Sequence, residues 1–265
     1  MAIGFFGLPV SIAIAAAIAI VSITTLAFLF FVYALLLLKA SRFNADAVQR
    51  RIDPDERFPE GAASIESCEL ELVELGFEPL AHHQCTDFLP FTGSDTTFML
   101  HKPTHTAALI MATYRVVREE PVSLQHVIVE FGTETTTREL STVRSTHLGE
   151  MFLKKHRSML HVGSNWNLAQ VLAVHQERVR RTEEALVSVG SRDHLVAELE
   201  TQGTETFARW EASGLVRPCE DQMFTHQYTL RGACVATWKI LNKGRRLKRD
   251  ARKAQRIWRS IQSMS

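Results

Sequence analysis

The feature that most constrains this chain is an uncharged apolar segment near its N-terminus. No charged residue occurs from Ile3 to Leu38, and roughly 20 apolar residues suffice to cross a bilayer core of about 30 Å. Pro9 suits the first turn of a helix, where its missing N–H costs nothing. A helix from Pro9 to Leu38 measures about 45 Å, so it must tilt or protrude from the bilayer. The sequence predicts one transmembrane anchor, within residues 1–41.

A cleaved signal peptide is the alternative interpretation of this segment. Signal peptides have a basic N-terminal region and a short apolar core of about 7–15 residues. Neither feature is present before or within the segment, which favours a retained anchor.

The charges around the segment predict its direction. No basic residue precedes it, whereas Lys39, Arg42, Arg50 and Arg51 follow closely. Basic residues accumulate on the cytoplasmic side of membrane helices. We therefore expect a single-pass protein of the cell (inner) membrane, with its N-terminus outside and its soluble domain in the cytoplasm.

Small residues recur along the predicted anchor at spacings of four, four and three. They are Ser11, Ala15, Ala19 and Ser22. Such a stripe lets helix backbones approach closely, which predicts packing against other transmembrane helices, as in a membrane protein complex. The alternative is that alanine is simply frequent in membrane helices.

The soluble part divides into an acidic body and a basic end. Residues 39–238 contain 20 Lys and Arg against 28 Asp and Glu, a net charge of −8, whereas residues 239–265 contain 10 basic residues and only Asp250, a net charge of +9. Two surfaces of opposite sign indicate two different kinds of partner.

The four cysteines are Cys68, Cys85, Cys219 and Cys234, without a C-x-x-C pair. Their low density favours free thiols in a reducing compartment over a disulfide framework.

Periodicity predicts an α+β soluble domain. After a polar linker (42–61), a helix capped by Ser64 and stopped by Gly76 is expected. Strand-like runs follow, separated by turn signals, at about 77–85, 96–101, 107–117, 122–131 and 139–144. Short connections imply an antiparallel meander of four or five strands, flanked by helices. Helical patterns return near residue 164 and again at about 193–211. The expected units are an α+β domain (62–190), a helical extension (191–238) and a basic amphipathic tail (239–265).

Common catalytic and nucleotide-binding motifs do not occur in the sequence. His175 and Glu177, followed by Pro218 and Cys219, resemble part of the zinc-deaminase pattern, but Gln222 stands where that pattern needs a further cysteine. No cofactor and no catalytic residue is therefore predicted.

His83 and Cys85 form the most suggestive metal pair, because residues two apart on a strand share a face. If the next strand pairs with theirs, Met99 or His101 would lie opposite. Paired strands also bring polar residues together routinely, and the set of ligands is incomplete, so no metal site is predicted. Two further polar groups are expected to be solvated: three histidines in a predicted loop (His147, His156 and His161) and a β-edge or hairpin tip from Thr133 to Thr137.

The basic end carries the strongest interaction signal. An apolar stripe at helical spacing consists of Leu247, Ala251, Ala254, Trp258 and Ile261. A cationic amphipathic helix of this kind is typical of an anionic membrane surface. The predicted membrane- or partner-binding residues are Lys243, Arg245, Arg246, Lys248, Arg249, Arg252, Lys253, Arg256 and Trp258. The alternatives are a solvated charged tail and binding to nucleic acid or an acidic partner, of which nucleic acid is the less favoured.

Together these patterns favour a membrane-anchored, non-catalytic accessory or scaffolding subunit that covers the cytoplasmic face of a membrane protein complex. Its expected partners are the lipid bilayer, other transmembrane helices and anionic lipid head groups. The alternative is a membrane-tethered enzyme or ligand sensor with a dispersed site, for which His83, Cys85 and His101 are the candidates.

Overall fold

The structure is a computed structural model that describes residues 10–44, 50–86, 89–117, 120–145, 157–187, 205–221 and 224–264. It begins with a helix, α1 (Val10–Ala40), which is long and apolar enough to cross a membrane. From Ile14 to Leu29 every side chain of α1 is exposed. The predicted N-terminal apolar helix is therefore present, and it is a candidate membrane span.

The largest element is a mixed seven-stranded sheet. Its strands follow chain order, β2-β3-β4-β5-β6-β7-β8, and all neighbours are antiparallel except β7 and β8, which are parallel. The strands are β2 (Arg50–Arg51), β3 (Glu78–Thr86), β4 (Thr92–His101), β5 (Thr106–Arg115), β6 (Ser123–Glu134), β7 (Glu139–Arg144) and β8 (Arg157–Val162).

One face of this sheet is covered by three helices. They are α2 (Pro59–Glu74), α3 (Leu168–Arg180) and α6 (Lys243–Gln262). Their inward residues join the sheet in one hydrophobic cluster that includes Leu72, Tyr114, Phe131, Val171 and Ile257. We call the seven strands and these three helices the sheet domain.

A second, smaller unit is built at the C-terminal end of α1. It contains a three-stranded antiparallel sheet, β1-β10-β9, and two helices. The elements are β1 (Arg42–Phe43), the helical residues 205–212 (α4), β9 (Val216–Pro218), β10 (His226–Tyr228) and α5 (Leu230–Leu241). Its core includes Ala34 of α1, Phe43, Phe207 and Tyr228. We call this unit the anchor module.

The α+β class is confirmed, but the sheet is larger than predicted. The expected meander corresponds to β3 through β7, and the structure adds β2 at one edge and a parallel β8 at the other. β8 follows a segment of 12 residues after β7, which is long enough for a parallel connection. A connection of this length is compatible with either strand direction, so the sequence did not indicate that β8 is parallel to β7.

Helix ends agree in part with the sequence patterns. Gly76 has φ +88° just past α2, as expected for the residue that ends a helix. The start of α2 lies at Pro59, so Ser64 is inside the helix and the predicted cap is wrong. Asp95 of β4 instead accepts a hydrogen bond from the Phe58 backbone N–H, at 2.8 Å.

The segment interpreted as a linker (42–61) contributes β1 to the anchor module and β2 to the large sheet. Within 191–238, expected to be helical, the structure has α4, two strands and α5, and part of that range lies outside the described residues. The basic end (239–265) is not a separate tail, because α6 packs on α3 and β8.

Candidate functional site

The cationic helix α6 is the strongest candidate site, and its placement follows from its apolar residues. Ala254 and Ile257 are buried in the core of the sheet domain, while Trp258 and Ile261 pack against that core and are half-buried. Burial of an apolar side chain stabilises by about 1.5–3 kcal/mol. The apolar side of α6 therefore binds the protein's own sheet domain, whereas the sequence pattern had predicted its burial in a membrane surface.

Polar contacts fix α6 to the domain near both of its ends. Asp250 is buried and accepts a hydrogen bond from the His161 backbone N–H of β8, at 3.4 Å. Near the other end, Arg181 donates to the Ser260 hydroxyl at 2.6 Å. The rings of Trp166 and Trp258 meet edge to face, with centroids 6.2 Å apart. These contacts hold α6 in one orientation.

The outward side of α6 is a continuous cationic surface. Six of the eight predicted basic residues are exposed there, together with Arg259, while Lys243 and Arg246 are half-buried. The exposed seven are Arg245, Lys248, Arg249, Arg252, Lys253, Arg256 and Arg259; we call them the cationic ridge. Arg249 lies 3.6 Å from the Asp250 carboxylate. A fixed row of cations attracts an anionic surface or partner without ordering a flexible tail.

The small-residue stripe of α1 lies on the exposed part of that helix. Ala15, Ala19 and Ser22 are exposed, and the side chain of Ser11 lies outside the described residues. Packing of another transmembrane helix at this stripe stays a prediction.

The possible metal pair on β3 is not completed by β4. The register places Thr96 opposite His83 and Ser94 opposite Cys85, so the expectation of Met99 or His101 at those positions is wrong. His83 is buried with its ring 5.5 Å from that of Phe98. Among the described residues, no three His, Cys, Asp or Glu side chains gather as metal ligands.

A buried polar network lies between α3 and the sheet. The two ring nitrogens of His175 lie 2.9 Å from the Thr133 hydroxyl and 3.1 Å from the Thr142 hydroxyl. Arg178 donates to the same Thr142 hydroxyl at 2.7 Å. Burial, with a smaller contribution from the charge of Arg178, lowers the pKa of His175 to about 3. A neutral imidazole with two fixed hydroxyl partners is suited to holding α3 on the sheet.

The interpretation of residues 133–137 as a solvated β-edge or hairpin tip is correct in part. Glu134, Thr136 and Thr137 are exposed at the turn between β6 and β7, whereas Thr133 and Thr135 are buried. Thr135 and Thr137 both donate to the carboxylate of Glu184, whose pKa these hydrogen bonds and Arg138 lower to about 2. Threonine suits a strand on either face, so the run of threonines carried no signal about which face was covered.

His161 was expected in a solvated loop but lies buried on β8. Neither ring nitrogen has a hydrogen-bond partner within the described part of the chain. Burial, followed by the charge of Arg246, lowers the pKa of His161 to about 4. His147 and His156 lie outside the described residues.

A third polar group lies between α2 and the start of the sheet. Arg57 forms an ion pair with Glu69, which also accepts from the Thr97 hydroxyl at 2.6 Å. The His82 ring lies 2.6 Å from Arg57, and burial together with that positive charge lowers the pKa of His82. These partners satisfy one another, so the group fits a structural role.

Two clefts indent the described surface. One, of about 430 Å³, is lined by Pro90, Phe91, Thr92, Tyr114, Arg115, Val117 and Gln125. The other, of about 410 Å³, lies along α2 and is lined by Ala63, Glu66, Ser67, Leu70, Glu71 and Glu74. Neither cleft contains His83, Cys85, His101 or the His175 network, so the structure does not join them to the residues considered for catalysis.

Comparison of the chain with protein-family models, with curated proteins and with solved structures finds no match.

Proposed function

We propose that this protein is a membrane-anchored, non-catalytic accessory or scaffolding subunit of a membrane protein complex. In this proposal α1 crosses the cell membrane and packs on other transmembrane helices. The sheet domain lies on the cytoplasmic face, where the cationic ridge binds an anionic surface formed by lipid head groups.

The observation that carries the proposal is the cationic ridge on a docked helix. Ala254, Ile257 and the contacts of Asp250 use the inner side of α6 and leave the basic residues of its outer side exposed. Each Lys or Arg near an anionic leaflet gains about 1 kcal/mol, and salt screens that attraction. The apolar helix α1 in the same chain makes a bilayer the nearest anionic surface.

A membrane-tethered enzyme or ligand sensor is the second candidate. The cleft beside Phe91 and Arg115 favours it, because that cleft has ligand-sized volume and one charged side chain among apolar and uncharged polar ones. Residues considered for chemistry lie elsewhere, which is why we place this candidate second.

The cationic ridge can be tested by lysine labelling of the full chain in lipid nanodiscs. Labelling of Lys248 and Lys253 should be slower in discs that contain anionic lipid than in neutral discs, and high salt should abolish the difference. Lys102, exposed and paired with Glu78 at the far end of β4, is the matched internal control. Equal labelling of Lys248 in both kinds of disc would exclude the lipid surface and leave a protein partner for the ridge.

Sidedness is tested by protease added to intact cells. Residues 60–265 should be protected until the membrane is broken, because the basic residues that follow α1 place the domain in the cytoplasm. Digestion of this region in unbroken cells would contradict the proposed orientation.

Helix packing is tested by photocrosslinking from α1 in the source membrane. A crosslink to another membrane protein should be lost in an Ala15→Leu/Ala19→Leu variant, because leucine prevents close backbone approach. Ile14→Leu/Ile18→Leu, on other parts of the same helix, is the matched control. Persistence of the crosslink in the alanine variant would exclude the small-residue stripe as the packing face.

A further inference from the structure

The exposed part of α1 is about as long as the hydrocarbon core of a bilayer is thick. Every side chain from Ile14 to Leu29 is exposed, and Phe30 is the first after them that is half-buried. The 20 residues from Val10 to Leu29 span about 30 Å, which is the thickness of the hydrocarbon core. One side of the remainder of α1, with Ala34, Leu37 and Leu38, packs against the anchor module, while Phe31 and Leu36 are exposed on its other side. The bilayer boundary therefore falls near the beginning of that packed part.

Helix α5 runs back along α1 toward this boundary. β10 pairs with β1, which directly follows α1, and β10 itself contacts α1. Because α5 starts two residues after β10, it starts beside the C-terminal end of α1. Ala236, six residues into α5, then shares a buried cluster with Ala34, six residues before the end of α1. The last turn of α5 accordingly lies beside the turns of α1 near Phe30.

One side of α5 is apolar, and it is exposed except at Cys234, which is half-buried against the core of the anchor module. Leu230, Cys234, Trp238 and Leu241 follow one another at spacings of four, four and three, so they share a helix face. Trp238 is 63% exposed and Leu241 60% exposed, although both are large apolar residues. We call these four residues the α5 stripe. The inner side of the helix, with Ala233 and Ala236, is fully buried.

The charges around the end of α5 fit lipid head groups. Lys239 lies beside Trp238 in sequence, and α6 begins immediately after Asn242 with Lys243 and then Arg245. Tryptophan prefers the boundary between acyl chains and head groups, and lysine near it extends toward the phosphates. Apolar residues at the level of the bilayer boundary, followed by cations, are typical of an interfacial helix.

From these observations we infer that α5 is an interfacial helix at its C-terminal end: Trp238 and Leu241 enter the boundary layer of the bilayer and, through α1, set the height of the domain above the membrane. The inference rests on the membrane anchoring proposed above, and it assigns a lipid contact besides the span and the cationic ridge. It also places the N-terminal end of the cationic ridge at the head groups.

The test uses the full chain in nanodiscs whose lipids carry bromine near the carbonyl end of the acyl chains. Bromine quenches only those tryptophans that contact it, and the chain has four tryptophans. We expect Trp238→Phe to remove at least half of the quenching. Trp258→Phe, which changes a half-buried tryptophan on α6, should leave the quenching unchanged. Lipids brominated at the centre of the bilayer should quench Trp238 less.

Two results would overturn the inference. Trp238 emission that is unquenched and at the wavelength of water-exposed tryptophan would place α5 away from the bilayer. Emission that is shifted to the blue but unquenched would mean that protein, such as a second copy of the chain, covers the stripe. Resistance of the full chain to carbonate extraction from vesicles reports on the span alone. A resistant chain with unquenched Trp238 would therefore refute the interfacial helix and leave the anchoring proposal intact, whereas an extracted chain would refute both.

Discussion

The sheet domain and the anchor module have cores of different kinds. In the sheet domain, large apolar side chains such as Phe131 and Leu72 are fully buried and lie beside the His175 network. In the anchor module, a few aromatic rings around Phe43 pack against a seam of alanines between α1 and α5. One of these alanines, Ala34, belongs to the candidate membrane span itself. The first core is self-contained, whereas the second core includes one side of the long apolar helix α1.

This difference assigns the two regions different mechanical roles. A core closed by long strands and three helices opens as a unit at high free energy, whereas a small core with few apolar contacts opens locally at lower free energy. The anchor module therefore joins α1 to the sheet domain. In the membrane-anchored arrangement proposed above, its rigidity would decide how firmly α6 is oriented toward the membrane, since α5 leads into α6 through Asn242 alone.

The largest effect is expected from removing a ring at the centre of the sheet domain. Phe131→Ala should lower the free energy of unfolding by about 3–5 kcal/mol, because it leaves a cavity in a fully buried site. Urea denaturation of the full chain in detergent, followed by circular dichroism, measures the loss. Leu70→Ala on the exposed side of α2 should change the value by less than about 0.5 kcal/mol. Similar losses for both variants would mean that the sheet domain has no tightly packed core.

Acid should also act on the sheet domain, through two buried histidines. The pKa values of His175 and His161 are about 3 and 4 in the folded protein, below the ordinary value of 6.5. The unfolded chain therefore binds these two protons first as pH falls below 6.5. The stability that depends on neutral imidazole is complete above pH 6.5 and declines toward pH 4.

Between pH 7 and pH 5 each histidine should lower the free energy of unfolding by about 2 kcal/mol. Urea midpoints at the two pH values measure the decline, and His175→Gln should roughly halve it. An unchanged pH dependence in His175→Gln would show that this imidazole is not held neutral by the fold.

Two glycines allow the cores to be compared by the same substitution. A Cβ at Gly232 would lie 1.8 Å from the Leu215 carbonyl oxygen in the anchor module, whereas a Cβ at Gly61 would lie 2.0 Å from the Tyr114 hydroxyl in the sheet domain. The first clash involves backbone, which cannot rotate away. Gly232→Ala should cost about 1–3 kcal/mol, as overpacking does.

Hydrogen exchange of the full chain in nanodiscs separates the two effects. Gly232→Ala should accelerate exchange in α5 and β10 and leave β4 to β6 unchanged. Gly61→Ala should act on α2 and β5, where Tyr114 lies. If either substitution accelerated exchange in both regions equally, the two cores would form one cooperative unit and the comparison would fail.

The elements that sequence patterns predicted well are those fixed by local chemistry. The span followed from an uncharged segment, β3 to β7 from β-rich runs between turn residues, and the end of α2 from Gly76. The pairing of β7 with β8 and the burial of His161 depend on long-range contacts, for which neighbouring residues carry no signal.

The sequence predicted which residues form the candidate site but not how α6 is oriented on the protein. The basic residues of α6 and its apolar stripe were visible, yet Ala254 and Ile257 face the sheet rather than the bilayer. An amphipathic pattern indicates that one side of a helix is buried, but it does not identify the surface that buries it. The sequence did not reveal the α5 stripe. Apolar residues occupy both the buried and the exposed sides of 230–241, so the segment has no clear amphipathic pattern.

The smallest effect should come from removing one N-cap in each region. The side chain of Asn167 accepts a hydrogen bond from the Gln170 backbone N–H at 2.8 Å and caps α3, and Thr229 accepts from the Gly232 N–H at 3.0 Å and caps α5. Each change to alanine should cost about 1 kcal/mol. For Asn167→Ala the loss should appear in the urea midpoint of the whole sheet domain, because α3 is part of its closed core. For Thr229→Ala it should appear as faster hydrogen exchange in α5 with an unchanged urea midpoint, because the anchor module opens locally. A urea midpoint lowered equally by both variants would show that the joint and the domain unfold together, and that α1 is coupled rigidly to the cationic ridge.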